Sequence, residues 1–313
     1  MLIEGDCRVG MRQIPEGTID AIVTDPPYGL EFMGKDWDAP WKSSGDVIAD
    51  PSSVGGFQDG AGGNPFSRSR IRYGRGNGFQ QWFTTVAEEC FRVLKPGGFI
   101  VAFGGTRMFH RLVCAVEDAG FTVQDNAMWV YGSGFPKSHN VYKSLSKEFG
   151  EDSEIAQNWN GWGTALKPAQ EPILIATKGI PDSFPNGNKV IYCPKVGKAE
   201  RNIGLDHLDA KKRAGFAGAL RAEEDLDPLS RRFLSEPVKN THPTVKPISL
   251  MRDLIDLVTN EGETVLDPFL GSGTTAVAAV LSGRKWVGCE MTDEYMPIIN
   301  GRLAWAEQMK REK

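Results

Sequence analysis

Segments with strand-like and helix-like periodicity alternate along this chain of 313 residues. Short apolar runs predict buried strands at 19–24, 99–103, 122–131, 171–177, 263–266 and 285–289. Apolar residues recur at helical spacing over 83–94, 108–116, 250–258, 274–281 and 295–308. Strands that alternate with helices favour an α/β domain built on one doubly wound, mostly parallel sheet.

A polar stretch at residues 179–240 interrupts this alternation. It lacks clear periodicity, so we interpret it as an insertion that divides one domain into two halves, 1–178 and 241–313, with a short helix expected around 206–213. A second irregular stretch, 35–77, is rich in glycine and serine. A structureless segment of this length inside a compact domain is usually a functional or disordered loop, so we expect a mobile loop there.

Charge and cysteine content restrict the class of protein. The formal net charge is −4, which argues against a generally basic nucleic-acid coat but leaves room for a local basic face. The five cysteines and four histidines show neither C-x-x-C pairs nor ligand spacing, so we expect no disulfide framework and no metal site. No signal peptide and no membrane-spanning apolar run is recognisable, and we expect a reduced, cytoplasmic compartment.

The first predicted strand ends in the sequence Asp25-Pro26-Pro27-Tyr28. The exocyclic amine of adenine or cytosine is a poor nucleophile because its lone pair is delocalised into the ring. Hydrogen bonds to the Asp25 carboxylate and the Pro26 carbonyl would favour a pyramidal nitrogen whose lone pair can attack. The two prolines hold that carbonyl in place by fixing φ, and Tyr28 can stack on the base. In isolation, the first interpretation would be a proline-rich strand exit with a surface aromatic.

A later predicted strand reaches Asp267 and continues through Gly271-Ser272-Gly273 into a helix. Such a turn lets the backbone approach a ligand closely. It is not a phosphate loop, because the G-x-x-x-x-G spacing and the following lysine are absent. Asp267 would repel a phosphate but could bind an ammonium, and Glu290 at the end of the next strand could hold ribose hydroxyls. A ligand that carries an ammonium and ribose hydroxyls but no phosphate indicates S-adenosylmethionine. The two glycines alone could be a plain strand–helix turn.

Several other short strings accompany these two motifs. They are GDC at 5–7, RVLKPGG at 92–98, KPAQEP at 167–172 and HPTVKP at 242–247. With them, the chain resembles DNA amino-methyltransferases of the permuted β class, which carry a DPPY motif and occur in phages and in restriction–modification systems. The resemblance covers most of the chain outside 35–77 and 179–240. Gln170 departs from the pattern, because the family commonly has histidine there, and its local role stays open.

The resemblance implies a Rossmann-like methyltransferase sheet of seven strands with its motifs in circularly permuted order. Residues 1–178 would form the catalytic half, 179–240 a target-recognition region and 241–313 the cofactor-binding half. The implied catalytic residues are Asp25, Pro26, Pro27 and Tyr28. Asp6 would face the adenine of the cofactor, while Thr244 and Lys246 would lie near its methionine end. The other residues implied to bind the cofactor are Asp267, Phe269, Gly271, Ser272, Gly273, Thr274 and Glu290.

The implied activity is site-specific methyl transfer from S-adenosylmethionine to N6 of adenine in duplex DNA. The target nucleotide would be flipped out of the stack, and its amine would attack the methyl group directly and in line. Within the family, Asp at the first motif position is paired more often with adenine, and Ser with N4 of cytosine. Cytosine N4 is the alternative, followed by an RNA or protein-amide methyltransferase and by a cofactor-binding module without catalysis.

Contacts to DNA are expected from two places. Trp37 could close over the flipped base or could simply pack. Arg68, Arg70, Arg72 and Arg75 form a cluster without acidic residues, which suits phosphate contacts but could also be a solvated loop. A homodimer and a cognate restriction nuclease are the other partners considered, with a bacterial or phage source and no membrane.

Overall fold

The described strands of this protein form a single sheet. In chain order they are β1 Leu2–Glu4, β2 Ile19–Thr24, β3 Leu94–Phe103, β4 Thr122–Val130, β5 Gln170–Thr177, β6 Val190–Tyr192, β7 Thr264–Asp267 and β8 Lys285–Glu290. The helices are α1 Cys7–Gly10, α2 Arg68–Val93, α3 Phe109–Asp118, α4 Val141–Phe149, α5 Glu154–Gln157, α6 Lys198–Arg201, α7 Ile248–Val258, α8 Thr274–Leu281 and α9 Met296–Arg311. They come from a computed structural model that describes residues 1–29, 68–132, 140–163, 166, 169–181, 183, 187–210 and 238–312, with the backbone alone over 68–75.

The sheet has eight strands in the order β1-β8-β7-β2-β3-β5-β4-β6. Neighbouring strands are parallel except where β5 pairs with β3 and with β4. The predicted doubly wound, mostly parallel α/β sheet is confirmed. The implied count of seven strands is wrong, because β6, inside the predicted insertion, adds a further strand by pairing with β4.

Strand direction decides which residues share an edge of the sheet. The carboxyl ends of β2, β3 and β7 meet at one edge, because these strands are parallel neighbours. Strand β5 runs the opposite way, so its first residues reach that edge. The segments after β2 and β7 and the beginning of β5 therefore lie along the same edge.

Helices cover both faces of the sheet. Successive residues of a strand point to opposite faces. Along β3, Ile100 packs in the core formed with α2 and α3, whereas Val101 packs in the core formed with α7 and α8. Both residues are fully buried, and burial of a side chain of this size stabilises the fold by about 1.5–3 kcal/mol. The loops at the carboxyl edge thus stand on a support that is packed from two sides.

Helix α2 begins earlier than the sequence pattern predicts. Residues 68–77 are helical, although they fall inside the stretch predicted to be irregular, and residues 35–67 of that stretch lie outside the described residues. Gly74, Gly76 and Gly78 explain the error, since each glycine disfavours a helix by about 1 kcal/mol relative to alanine. Tertiary packing overrides this low helix preference. The backbone at Gly76 packs closely against Arg111, since a Cβ there would lie 3.2 Å from Arg111 Nε, and Phe79, which follows Gly78, is buried.

The inserted region is only partly described. The short helix expected around 206–213 is wrong over 206–210, which are not helical, and among the described residues of this region the helical turn is α6. Residues 211–237 lie outside the described part. Among the helices that are described, none is long and apolar enough to cross a membrane.

Candidate active site

The two sequence motifs meet at the carboxyl edge of the sheet. Thr24, the last residue of β2, donates a hydrogen bond from Oγ1 to Oδ1 of Asp267, the last residue of β7, at 2.6 Å. Both residues are buried. Residues 25–28 and 267–272 line the same cavity, which has a volume of about 700 Å³. A cavity of this size is suited to a small-molecule ligand.

Asp25, Tyr28, Glu171 and Lys246 form a hydrogen-bonded group on the wall of this cavity, which we call the Asp25 cluster. The Tyr28 hydroxyl lies 2.9 Å from Asp25 Oδ1 and 2.8 Å from Glu171 Oε2, so two carboxylates share its single proton. Lys246 Nζ donates to Asp25 Oδ2, and also to Tyr28 Oη at 3.2 Å. The same Nζ lies 3.4 Å from Glu171 Oε2.

The Asp25 cluster is largely removed from solvent. The Lys246 side chain is 7% exposed, and those of Asp25 and Glu171 are each 16% exposed. Burial raises the pKa of Asp25, and Glu171 adds to that rise although Lys246 opposes it. Burial would also raise the pKa of Glu171, but Lys246, Tyr28 and Lys195 outweigh it and lower this pKa. The two carboxylates raise the pKa of Lys246 against the effect of burial, so its ammonium stays charged.

Aromatic rings enclose the Lys246 ammonium. Its Nζ lies 4.8 Å from the ring centroid of Phe103, 5.4 Å from that of Tyr28 and 5.9 Å from that of Trp129. Gly105 makes room for Tyr28, because a Cβ at this glycine would lie 3.0 Å from Tyr28 Cβ. Tyr28 and Trp129 both line the cavity, and their rings offer surfaces on which a planar ligand can stack.

The turn between β7 and α8 depends on its glycines. Gly271 and Gly273 have φ angles of +55° and +80°, a left-handed conformation that side chains disfavour. A Cβ on Gly271 would also lie 2.7 Å from His242 Nε2. The Gly271 N–H donates to Glu290 Oε2 at 2.7 Å, and Glu290 Oε1 accepts from the Thr292 N–H at 2.8 Å. The Glu290 carboxylate therefore ties this turn to the end of β8.

Asp267 holds the other side of the turn. Its Oδ1 accepts from Thr24 Oγ1 at 2.6 Å and from the Phe269 N–H at 3.0 Å, and its Oδ2 accepts from Thr275 Oγ1 at 2.5 Å. Burial still raises the pKa of Asp267 to about 6. Burial raises the pKa of Glu290 as well. Two buried carboxylates beside a glycine turn suit a cationic ligand that carries hydroxyl groups, and they disfavour a phosphate.

Arg302, which was not predicted as a site residue, supports the same turn from α9. It is fully buried, and its Nη1 donates to Ser272 O at 2.8 Å, Ser272 Oγ at 3.0 Å and Thr274 Oγ1 at 2.9 Å. Burial lowers the pKa of Arg302 to about 10. Its Nε and Nη2 have no hydrogen-bond partner among the described residues. The signal in the sequence was an arginine within the largely apolar helix predicted at 295–308.

The other predicted cofactor residues lie around the cavity. Asp6 accepts a hydrogen bond from the Arg8 N–H at 2.8 Å, pairs with the Arg8 guanidinium at 2.8 Å and lines the cavity. Thr244 also lines it, and its N–H donates to His242 Nδ1 at 3.3 Å. Lys246 lines the cavity too, but its ammonium lies in the Asp25 cluster, beside the motif at 25–28.

Glu171 and Lys195 also carry charge into the cavity without having been predicted as site residues. Lys195 Nζ lies 3.7 Å from Glu171 Oε1 and 4.0 Å from the ring centroid of Tyr131. The predicted DNA contacts stay predictions. Trp37 lies outside the described residues, and the side chains of the four arginines in 68–75 do as well, although their backbone belongs to α2.

Comparison with known proteins gives consistent results. A family model described as DNA methylase matches residues 19–301. Over 299 residues the chain is 32% identical to the type II methyltransferase M.HindIII of Haemophilus influenzae, covering 94% of this chain and 91% of that protein. Over 319 residues it is 27% identical to the DNA adenine methyltransferase YhdJ of Escherichia coli K12, covering 100% of this chain and 85% of that protein.

The fold is also found among solved structures. The PvuII DNA methyltransferase, described as cytosine-N4-specific, superposes with a TM-score of 0.58 over 100% of this chain and 93% of that chain. The two sequences are 16% identical, so this likeness concerns the fold.

Proposed function

The chain belongs to the family of DNA methylases, and from this premise we propose that it transfers a methyl group from S-adenosylmethionine to N6 of adenine in duplex DNA. The observation that carries the proposal is the presence of the Asp25 carboxylate and the Gly271 turn in one cavity. The catalytic motif precedes the cofactor turn in the chain, which supports the finer assignment to the permuted β class with a DPPY motif.

We place the cofactor at the glycine turn. Each oxygen of a carboxylate can accept two hydrogen bonds, so Glu290 can hold ribose hydroxyls while it keeps its two backbone partners. Asp267 supplies negative charge toward the ammonium, and Asp6 lies on the side proposed for the adenine. The other residues proposed to contact the cofactor are Thr244, Phe269, Gly271, Ser272, Gly273 and Thr274. When bound, S-adenosylmethionine supplies a methyl group on a positively charged sulfur.

We place the target amine at the motif 25–28. The ionised Asp25 carboxylate accepts one N–H of the amine and the Pro26 carbonyl accepts the other, which frees the nitrogen lone pair. Pro26 and Pro27 keep this carbonyl fixed, and Tyr28 stacks against the base. Lys246 would then act in this half of the site, as its contact with Asp25 supports, rather than at the methionine end of the cofactor.

The depth of the site requires the base to leave the helix. Asp25 lies inside a cavity and its side chain is 16% exposed. The amine of a base within a duplex is paired and stacked, so the nucleotide must be flipped out to reach this carboxylate. We propose that residues 179–240 recognise the target sequence, and that Trp37 and the arginines at 68, 70, 72 and 75 contact the DNA around the site.

Adenine is favoured over cytosine by the relatives. YhdJ, which matches along the whole chain, is named a DNA adenine methyltransferase, whereas the cytosine-N4-specific PvuII enzyme shares the fold at 16% identity. The likeness to a type II methyltransferase supports a cognate restriction nuclease as a partner. We further propose a homodimer, and a cytoplasmic protein of bacterial or phage origin, which the bacterial sources of the relatives support.

The test is to incubate the protein with methyl-labelled S-adenosylmethionine and duplex DNA, and then to digest the DNA to nucleosides. We expect the label in N6-methyladenine. Label found in N4-methylcytosine alone would overturn the choice of base. If RNA or protein amides are labelled while DNA is not, the proposal is wrong.

Asp25→Ala tests the division of the site into two halves. We expect this variant to bind S-adenosylmethionine with an affinity within about twofold of the wild type, because the glycine turn is intact, and to lose methyl transfer by about a hundredfold or more. Asp125→Ala is the matched control, since Asp125 is an exposed carboxylate paired with Lys189 elsewhere in the same sheet. Loss of cofactor binding in a folded Asp25→Ala variant would contradict this division.

A further inference from the structure

We propose that Glu171 is a positioning residue that takes over the Lys246 ammonium and the Tyr28 hydroxyl when the target amine docks on Asp25. The inference rests on the proposed function, because it concerns the amine-binding half of the same site. Glu171 does not belong to the motif at 25–28 and reaches the cavity from β5.

Asp25 and Glu171 compete for the same two donors. The Tyr28 hydroxyl can donate its hydrogen bond to either carboxylate. It lies 2.9 Å from Asp25 Oδ1 and 2.8 Å from Glu171 Oε2. Lys246 Nζ contacts Asp25 Oδ2 and lies 3.4 Å from Glu171 Oε2. Exchange of both donors between the two carboxylates therefore requires small movements of side-chain ends and no movement of the backbone.

The exchange favours docking of the amine, because each oxygen of Asp25 already accepts one hydrogen bond in this structure and one of the two donors is a charged ammonium. Oδ1 accepts from Tyr28 and Oδ2 from Lys246. A hydrogen bond from a charged ammonium is about twice as strong as one from a neutral N–H group, so the amine of a base competes poorly with Lys246. A second carboxylate that holds Lys246 removes this competition and does not leave the ammonium buried and unpaired, which would be costly.

The backbone of Glu171 is held in the sheet, whereas the side chain of Lys246 can turn. The Glu171 backbone pairs with Trp129 of β4, and Lys195 Nζ lies 3.7 Å from its outer oxygen, Oε1. The Lys246 ammonium instead ends a flexible stem of four carbons. The rings of Phe103, Tyr28 and Trp129 surround this ammonium. The ammonium can turn from one carboxylate to the other within this aromatic enclosure.

A pH profile separates this role from a purely structural one. The titratable groups that face Asp25 are Tyr28, Glu171, Lys246 and Asp267. Burial is the main cause of the raised pKa of Asp25, Glu171 raises it further, and Lys246 lowers it. Removal of the Glu171 charge leaves Lys246 to Asp25 alone, and both effects lower the pKa of Asp25. Since Asp25 must be ionised to accept the amine, the acid limb of the rate profile then moves to lower pH.

The experiment compares Glu171→Gln with the wild-type chain in single-turnover methyl transfer to duplex DNA, and measures S-adenosylmethionine binding by calorimetry. We expect the rate at neutral pH to fall about tenfold or more, with cofactor affinity within about twofold and the acid limb at lower pH. Glu171→Asp restores the charge and should recover part of the rate. Asp125→Asn is the matched control, because it replaces an exposed carboxylate of the same sheet outside the cavity by an amide, and it should leave the acid limb in place.

The outcomes are separable. A folded Glu171→Gln variant with a wild-type rate and an unmoved acid limb would overturn the inference and leave the proposed function intact. Equal loss of rate and cofactor affinity would show a structural role and would also overturn it. If Glu171→Gln does not fold, Glu171→Asp provides the test. A lower rate of this variant at unchanged cofactor affinity supports the inference, and a wild-type rate contradicts it. Wild-type protein that methylates no DNA would refute the proposed function and the inference with it.

Discussion

Asp267→Asn should stabilise the fold above about pH 6 while it weakens cofactor binding. Asp267 is 2% exposed, and burial raises its pKa from 3.8 to about 6. A rise of about two pKa units corresponds to about 3 kcal/mol of preference for the protonated form. The ionised carboxylate at the end of β7 therefore costs the native state up to about 3 kcal/mol at neutral pH.

The sign of the pH dependence follows from the direction of the shift. The native state binds this proton more tightly than the unfolded chain does, because its pKa is the higher of the two. The stabilisation from the protonated group is complete below about pH 4, and it is lost as the pH rises to about 6. The free energy of unfolding of the wild type should fall across this window by the amount that Asp267 contributes.

Asparagine fits the site because the hydrogen-bond partners of Asp267 can adapt. Oδ1 accepts from a hydroxyl and a backbone N–H, and the asparagine carbonyl can replace it. Oδ2 accepts from the Thr275 hydroxyl, which can rotate to accept a hydrogen bond from the amide nitrogen. The substitution thus removes the buried charge and keeps the contacts. A ligand ammonium loses the opposite charge, so the dissociation constant of S-adenosylmethionine should rise about tenfold or more.

Urea unfolding of both proteins, measured at several pH values between about 4 and about 8, provides the assay. The gain in stability of Asp267→Asn should grow from near zero at the acid end to about 3 kcal/mol at the neutral end. Asp125→Asn is the control, since Lys189 and the Asn126 N–H lower the pKa of this exposed carboxyl, so its loss should reduce stability slightly above pH 4 and never increase it. A destabilised Asp267→Asn whose difference from the wild type does not change with pH would refute this reasoning.

The remaining predictions concern the glycine turn and the amine site. Arg302→Met should weaken cofactor binding about tenfold and lower the free energy of unfolding by about 1–3 kcal/mol, as measured by calorimetry and urea titration, because the turn loses a buried donor; Arg302→Lys should lose less. Gly271→Ala should lose cofactor affinity in the same calorimetric assay, since its Cβ would lie 2.7 Å from His242 Nε2 at a φ of +55°, and His242→Ala in the same chain should restore part of it. The wild-type methyl-transfer rate should rise with pH through an acid limb above the range of a surface aspartate, because burial raises the pKa of Asp25; a limb within the ordinary aspartate range would contradict this.

Segments with uninterrupted apolar periodicity could be predicted closely from the sequence. The helix expected over 274–281 has those bounds in the structure, because its strand–turn–helix signal is local. The start of α2 could not be predicted, since Gly74, Gly76 and Gly78 lower the helix propensity of this segment. Strand β6 has three residues, of which Val190 and Tyr192 are exposed, and its strand conformation depends on pairing with β4.

Some residues of the candidate site could be predicted from the sequence and others could not. Asp25 follows β2 and Asp267 ends β7, each within a recognisable sequence motif, so their chemistry could be inferred before their positions were known. Glu171 reaches the cavity because β5 is antiparallel to its neighbours, and no local pattern encodes that direction. Arg302 depends on how α9 packs behind a turn formed by residues about thirty positions earlier. Sequence motifs do not identify residues whose role depends on the topology of the fold.

The order of strands has a consequence for biosynthesis. Strand β2 lies between β3 and β7, and β1 pairs with β8. A ribosome must therefore release most of the chain before β2 can pair with β7, and nearly all of it before β1 can pair with β8. Until then β2 presents a bare hydrogen-bonding edge, which is a template for aggregation, and such long-range pairing folds slowly. We expect chaperones that shield 19–24 during translation to increase the yield of native protein, and chains truncated before 264 to aggregate.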